Sequence, residues 1–154
     1  MQTFLPYKCF EESLSCLDYR RLGKQRVEAY QILNVLLGRA SKGWSNHPIT
    51  KMWAGYENAL KEYMNLSIKE WISRGYNNNM KVAVIEGVIE YPEWLGYDKF
   101  HSSHRGNLLR KDWDYYSGYS WPDNPLSPYL WFDTDKRQWY AKHTGEKSRQ
   151  YEFK

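Results

Sequence analysis

Only two cysteines occur in 154 residues, Cys9 and Cys16, and neither forms a metal-ligand pattern with a neighbouring histidine. Free thiols in a reducing, cytoplasmic compartment are the expectation. No apolar run approaches the roughly 18 residues of a membrane span, so no membrane partner is expected. The first residues, MQTFLPYKCF, lack a basic segment followed by an apolar stretch, so no secretory signal is read there. Also missing are a glycine-rich phosphate loop, a G-x-S-x-G element, internal repeats, low-complexity stretches and linkers. What remains is one compact domain over residues 1–154, large enough for a single core, with no motif that asks for a cofactor.

What the chain does carry is a modest cationic excess and many rings. Its net charge is +4, and 18% of its residues are aromatic, with 8 Trp and 14 Tyr. Such rings combine apolar area with a polar tip and suit wet sites and stacking on bases.

The apolar spacing predicts an all-α fold of about three main helices. A first helix over 10–37 carries Leu14, Leu17, Val27, Tyr30, Leu33 and Leu37 at intervals of three and four. Ser13 is its expected N-cap and Gly38 its stop. A second spans 49–74 and closes on Arg74-Gly75, and a third begins at 98 or 99 and ends at 111. Residues 80–91 read as irregular or weakly extended. Residues 112–154, with Pro122, Pro125, Pro128 and many aromatics, read as an irregular tail wrapped over the helices.

The first helix holds the strongest chemical signal. Arg20, Arg21, Lys24 and Arg26 put four cations within seven positions around Gly23. Arg20, Lys24 and the Gly23 backbone share a face, where a phosphate-rich partner can approach closely; a solvated helix face is the plainer alternative. Gly23 itself marks a kink or a point of close approach. On the third helix, Ser102, Ser103, His104 and Arg105 offer a second anion site. His101 and His104 stand at i, i+3, but a zinc site needs a third ligand, so no metal is expected. His47 is either a general acid or base or a capping residue. Glu28 either pairs with Lys24 on the surface or, if buried beside the cations, has a chemical role.

Taken in order, these segments resemble a known family. Tyr19-Arg20-Arg21-Leu22-Gly23-Lys24, then Pro48-Ile49 leading into Met52-Trp53-Ala54-Gly55-Tyr56, then Arg74-Gly75-Tyr76-Asn77, resemble the pyrimidine-dimer DNA glycosylases of the phage endonuclease V type. Ser103-His104-Arg105, Leu108-Leu109 and Trp113-Asp114-Tyr115-Tyr116 continue the likeness over roughly residues 1–120. It is closest to a bacterial and viral branch with the signature RLGKQRVE. The resemblance implies a compact all-α domain that binds damaged duplex DNA, flips out a base and attacks the sugar C1′ with its N-terminal amine. A Schiff base forms, a glutamate on the first helix assists, and β-elimination nicks the strand.

By this likeness Arg20, Lys24 and Arg105 are phosphate contacts, with Arg21, Arg26 and His104 beside them. Arg21 stands where the family carries its catalytic glutamate, and a guanidinium cannot do the same proton chemistry. Glu28, two turns later, is the substitute, expected to face a different direction. Gln2 is bulky, so Met1 is expected to stay and to supply the nucleophilic amine. The implied activity is glycosylase and abasic-site lyase. The alternative is an inactive nucleotide-binding protein on the same scaffold, which fits a viral sequestering role, with Trp44, Trp53, Tyr56 and Trp94 stacking on the base.

Overall fold

A computed structural model describes residues 1–40, 43 and 45–142. Among these, six helices run in the order α1 (Phe10–Ser15), α2 (Tyr19–Leu36), α3 (Pro48–Trp53), α4 (Glu57–Ser73), α5 (Asp98–Lys111) and α6 (Trp113–Tyr116). A 3-10 turn, Ser117–Tyr119, follows, and then strands β1 (Leu130–Asp133) and β2 (Gln138–Ala141). The strands pair antiparallel, with Trp131 opposite Tyr140 and Phe132 opposite Trp139. The protein is therefore mostly helical rather than strictly all-α.

The expected first helix is two. The chain breaks at 16–18, where extended Asp18 (φ −63°, ψ 158°) starts α2 and its carboxylate accepts the Arg21 N–H. Ser13 does not cap; it lies inside α1, and its hydroxyl bonds to both the carbonyl and the N–H of Tyr7. The expected second helix is also split. Gly55 adopts φ +87°, a conformation that ends α3 before α4 begins. Pro48 opens α3 with His47 Nδ1 accepting the Ile49 N–H at 3.2 Å. Gly38 (φ +74°) and Gly75 (φ +92°) do stop α2 and α4 as expected, and residues 80–91 are irregular.

The core forms where α2 lies along α4. Leu22, Ala29, Ile32 and Leu33 meet Leu60, Tyr63, Met64 and Ile68, all buried. Each large aliphatic chain so buried contributes about 1.5–3 kcal/mol. The C-terminal rings close the other side: Tyr129, Trp131 and Phe132 are buried, and Trp139 stacks on Tyr97 at 4.7 Å.

Candidate functional site

Residues 2–6 form no helix or strand, yet they run through the interior, and buried or half-buried side chains bond much of their backbone. The Phe4 N–H donates to Gln25 Oε1 at 2.8 Å, and the Leu5 N–H donates to His104 Nδ1 at 3.0 Å. The Tyr63 hydroxyl lies 2.8 Å from the Phe4 carbonyl and 2.7 Å from Gln25 Oε1, sharing its proton between them. The Pro6 carbonyl accepts from Arg105 at 2.6 Å, and the Gln2 carbonyl from Gln25 Nε2 at 3.1 Å. An interior segment without its own secondary structure must find such partners. The result is a chain start held in fixed register, with the terminal amine at the end of a clamped segment.

That start opens into a cleft of about 800 Å³ whose lining includes Gln2, Arg20, Arg21, Lys24, Glu28 and Lys111. Glu28 is half-buried, and its Oε2 accepts from Gln25 Nε2 at 3.0 Å. Burial pushes its carboxyl above the ordinary value; the charges of the N-terminal amine and Lys24, with donors from the Gln2 backbone and Gln25, oppose this without cancelling it. The carboxylate and the cations therefore line one cleft, and the charge of the amine reaches the carboxylate. The expectation that Glu28 faces away from Arg21 is corrected: seven residues turn a helix about 700°, only about 20° short of two turns. Arg21 is not a bare cation, because it pairs with Asp18 at 3.1 Å. Arg20 and Lys24 are exposed, and the exposed rings of Tyr19 and Tyr115 also line the cleft.

Other sequence candidates lie elsewhere. His104 is buried, its Nδ1 held by Leu5 and its Nε2 placed 3.4 Å from the Leu130 carbonyl, so it does not reach a phosphate. Arg105 is bound twice by Asp123, at 2.7 and 3.0 Å, as well as by Pro6. Arg26 bonds Asn78 at 2.6 Å and stacks on Trp71, 4.4 Å from the ring centre. The close approach at Gly23 is that same Trp71 ring, not a phosphate. Trp53 and Trp94 are core residues, packed edge to face at 5.0 Å, and cannot stack on a base. Tyr56 is half-buried at the α3–α4 corner, outside the cleft lining, and Trp44 lies outside the described residues. His47 caps α3, and burial followed by the nearby amine and Lys142 charges holds its imidazole below the usual range.

Sequence reasoning missed Gln25, Tyr63 and Tyr115. Gln25 had a signal, since it stands three residues before Glu28 on one helix.

No curated protein matches the chain, and neither does any solved structure. A family model described as pyrimidine dimer DNA glycosylase matches residues 1–84, just over half of the sequence and the part holding the clamped chain start, Gln25 and Glu28. With the cleft and that match together, the chain belongs to the pyrimidine dimer DNA glycosylase family.

Proposed function

We propose that the protein is a DNA glycosylase with abasic-site lyase activity on damaged pyrimidines, and that the Met1 amine is its nucleophile. The observation that supports this is a half-buried Glu28 carboxyl that lines a cationic cleft together with Gln2 and lies within reach of the N-terminal amine's charge. An amine must shed its proton before it attacks, and in this reading Glu28 takes it. The amine nitrogen then bonds to the sugar C1′, displacing the base or, at an abasic site, expelling water from the aldehyde adduct, and an imine forms. Loss of a C2′ proton to the carboxylate expels the 3′ phosphate, and water releases the sugar fragment. A carboxyl whose burial raises its proton affinity is better suited to accept and return protons than an ordinary surface glutamate.

Arg20, Arg21 and Lys24 hold flanking phosphates, and Tyr19 and Tyr115 are the rings available to an unstacked base. Arg21 takes the place of the resembled enzymes' glutamate, and Glu28 supplies the carboxylate from two turns further along.

Borohydride trapping on an abasic duplex tests the reading. A covalent adduct that disappears when the N-terminal amine is blocked is expected. No adduct overturns the lyase activity; tight calorimetric binding of mono- or cyclic nucleotides in that case turns the cleft into a sequestering site.

A further inference from the structure

Next to the cleft, and sharing Gln2 and Lys111 with it, lies a pocket of about 130 Å³ lined also by Met1, Asn107, Trp131 and Lys142. Asn107 is fully buried on α5. Its Oδ1 accepts from the Arg110 guanidinium at 2.6 Å. A guanidinium only donates, so the atom facing it must be the amide oxygen. The orientation is thereby set, and Nδ2 is left without an acceptor among the described residues. A buried donor in that state is costly to leave unpaired, which calls for a functional account.

The rest of the lining shows what an acceptor there would meet. The Gln2 side-chain oxygen is already engaged, accepting from the Tyr129 hydroxyl at 2.8 Å. Lys142 holds its ammonium 4.8 Å from the centre of the Trp131 ring, and the Met1 amine adds positive charge. The amine and Lys142 together are felt at His47, whose ring centre lies 6.3 Å from that of Trp131. Glu28, which feels the charge of the amine, lines the neighbouring cleft and is bonded there to Gln25. The pocket is thus rich in donors and positive charge, and its size suits a single tetrahedral group.

We propose that this pocket is an oxyanion subsite that takes a phosphoryl group, with the Asn107 amide and the Lys142 ammonium as its donors. The binding stands on its own geometry. Only the identity of the phosphoryl group rests on the functional reading, in which it belongs to the strand whose sugar the amine attacks. Asn107, Lys111, Trp131 and Lys142 all lie beyond the stretch matched by the family, residues 1–84.

Inorganic phosphate titrated into the isotopically labelled full chain, without DNA, is the test. Saturable movement of the Asn107 side-chain amide resonances is expected. Lys142→Gln should bind phosphate about tenfold more weakly, the worth of one charge-assisted hydrogen bond. Asn107→Asp keeps an oxygen for Arg110 and puts a second in place of Nδ2, so it should abolish binding while leaving the fold intact. No saturable movement, or equal affinity in both variants, overturns the site. A second arm assigns the source. Phosphate that suppresses borohydride trapping in the parent but not in Lys142→Gln marks a strand phosphate; phosphate that binds without suppressing trapping marks a free phosphate ligand. Phosphate binding with no trapping at all sinks the catalytic reading and leaves this one standing.

Discussion

Gln25 and Glu28 are joined by a 3.0 Å hydrogen bond that ties the clamp on the chain start to the carboxylate in the cleft. The Gln25 amide uses all of its capacity: Oε1 accepts from Phe4 and meets Tyr63, while Nε2 donates to the Gln2 carbonyl and to Glu28. Gln25→Met preserves volume and removes every one of these bonds. The Phe4 N–H and the Gln2 carbonyl then have no partner in the interior. The expected loss is about 3–5 kcal/mol, read by urea denaturation. A loss under 1 kcal/mol would mean that water replaces the amide.

Glu28→Gln separates proton transfer from binding. It keeps the shape and a hydrogen-bonding oxygen for Gln25, but removes the group that takes a proton. Under the proposed mechanism, nicking of abasic DNA falls about 10²–10⁴-fold, the usual worth of a positioned acid or base. Duplex affinity should hold or rise slightly, since a negative charge leaves a cationic cleft. Equal nicking rates in the two proteins would remove Glu28 from the chemistry.

Helix positions were legible because residues such as Leu33 and Leu37, then Leu60, Met64 and Ile68, repeat at helical spacing, although Val27 and Tyr30, read into the first stripe, are exposed. The breaks were not, because each depends on one local event: the Asp18 carboxylate turning onto Arg21, and Gly55 entering the left-handed region. Leu130-Trp131-Phe132-Asp133 shows no alternation, so the small sheet had no periodic signal. The cations of the site could be read from α2, but their partners could not. Arg105 meets Asp123 from 18 positions away, and His104 meets Leu5 from 99. A phosphate contact and a structural anchor look identical until such partners are known.

Trp94 illustrates the same limit, and its replacement distinguishes core from surface. The ring is buried against Trp53 and Phe100, and its Nε1 donates to the Met52 carbonyl at 3.0 Å. Trp94→Ala should cost about 3–5 kcal/mol by cavity formation. Retained nucleic-acid affinity at temperatures where the variant stays folded would agree with a purely structural ring.

Two helical glycines should respond differently to alanine. At Gly106 a new Cβ would lie 2.5 Å from the Asn124 carbonyl oxygen, a backbone atom that cannot swing aside. Gly106→Ala is expected to cost about 2–3 kcal/mol as α5 and the 124–125 segment move apart. At Gly23 the nearest atoms are the Trp71 ring, at 3.0 and 3.1 Å. A shift of a few tenths of an ångström relieves that contact, and the helix gains about 1 kcal/mol in propensity. Gly23→Ala should therefore be close to neutral by thermal denaturation, with Gly106→Ala clearly worse.

The clamp on the chain start also sets a pH dependence. Burial, with a small push from His101, lowers the pKa of His104 to about 3. His101 is lowered as well, burial again leading, while its Nε2 accepts the Gly96 N–H and its Nδ1 lies 2.8 Å from the Leu5 carbonyl. Both rings are thus neutral in the folded protein at pH values where the unfolded chain protonates them. The unfolded state binds more protons below its ordinary histidine pKa, near 6.5, so stability is full above that value and falls as pH drops toward 3. Each histidine contributes a slope of up to about 1.4 kcal/mol per pH unit. Denaturation at pH 7 and pH 5 should show the decline before most carboxylates titrate. His104→Asn offers an oxygen to the Leu5 N–H but cannot take up a proton in this range. It should be less stable at pH 7 and lose less between pH 7 and pH 5; an unchanged slope would assign the decline to other groups.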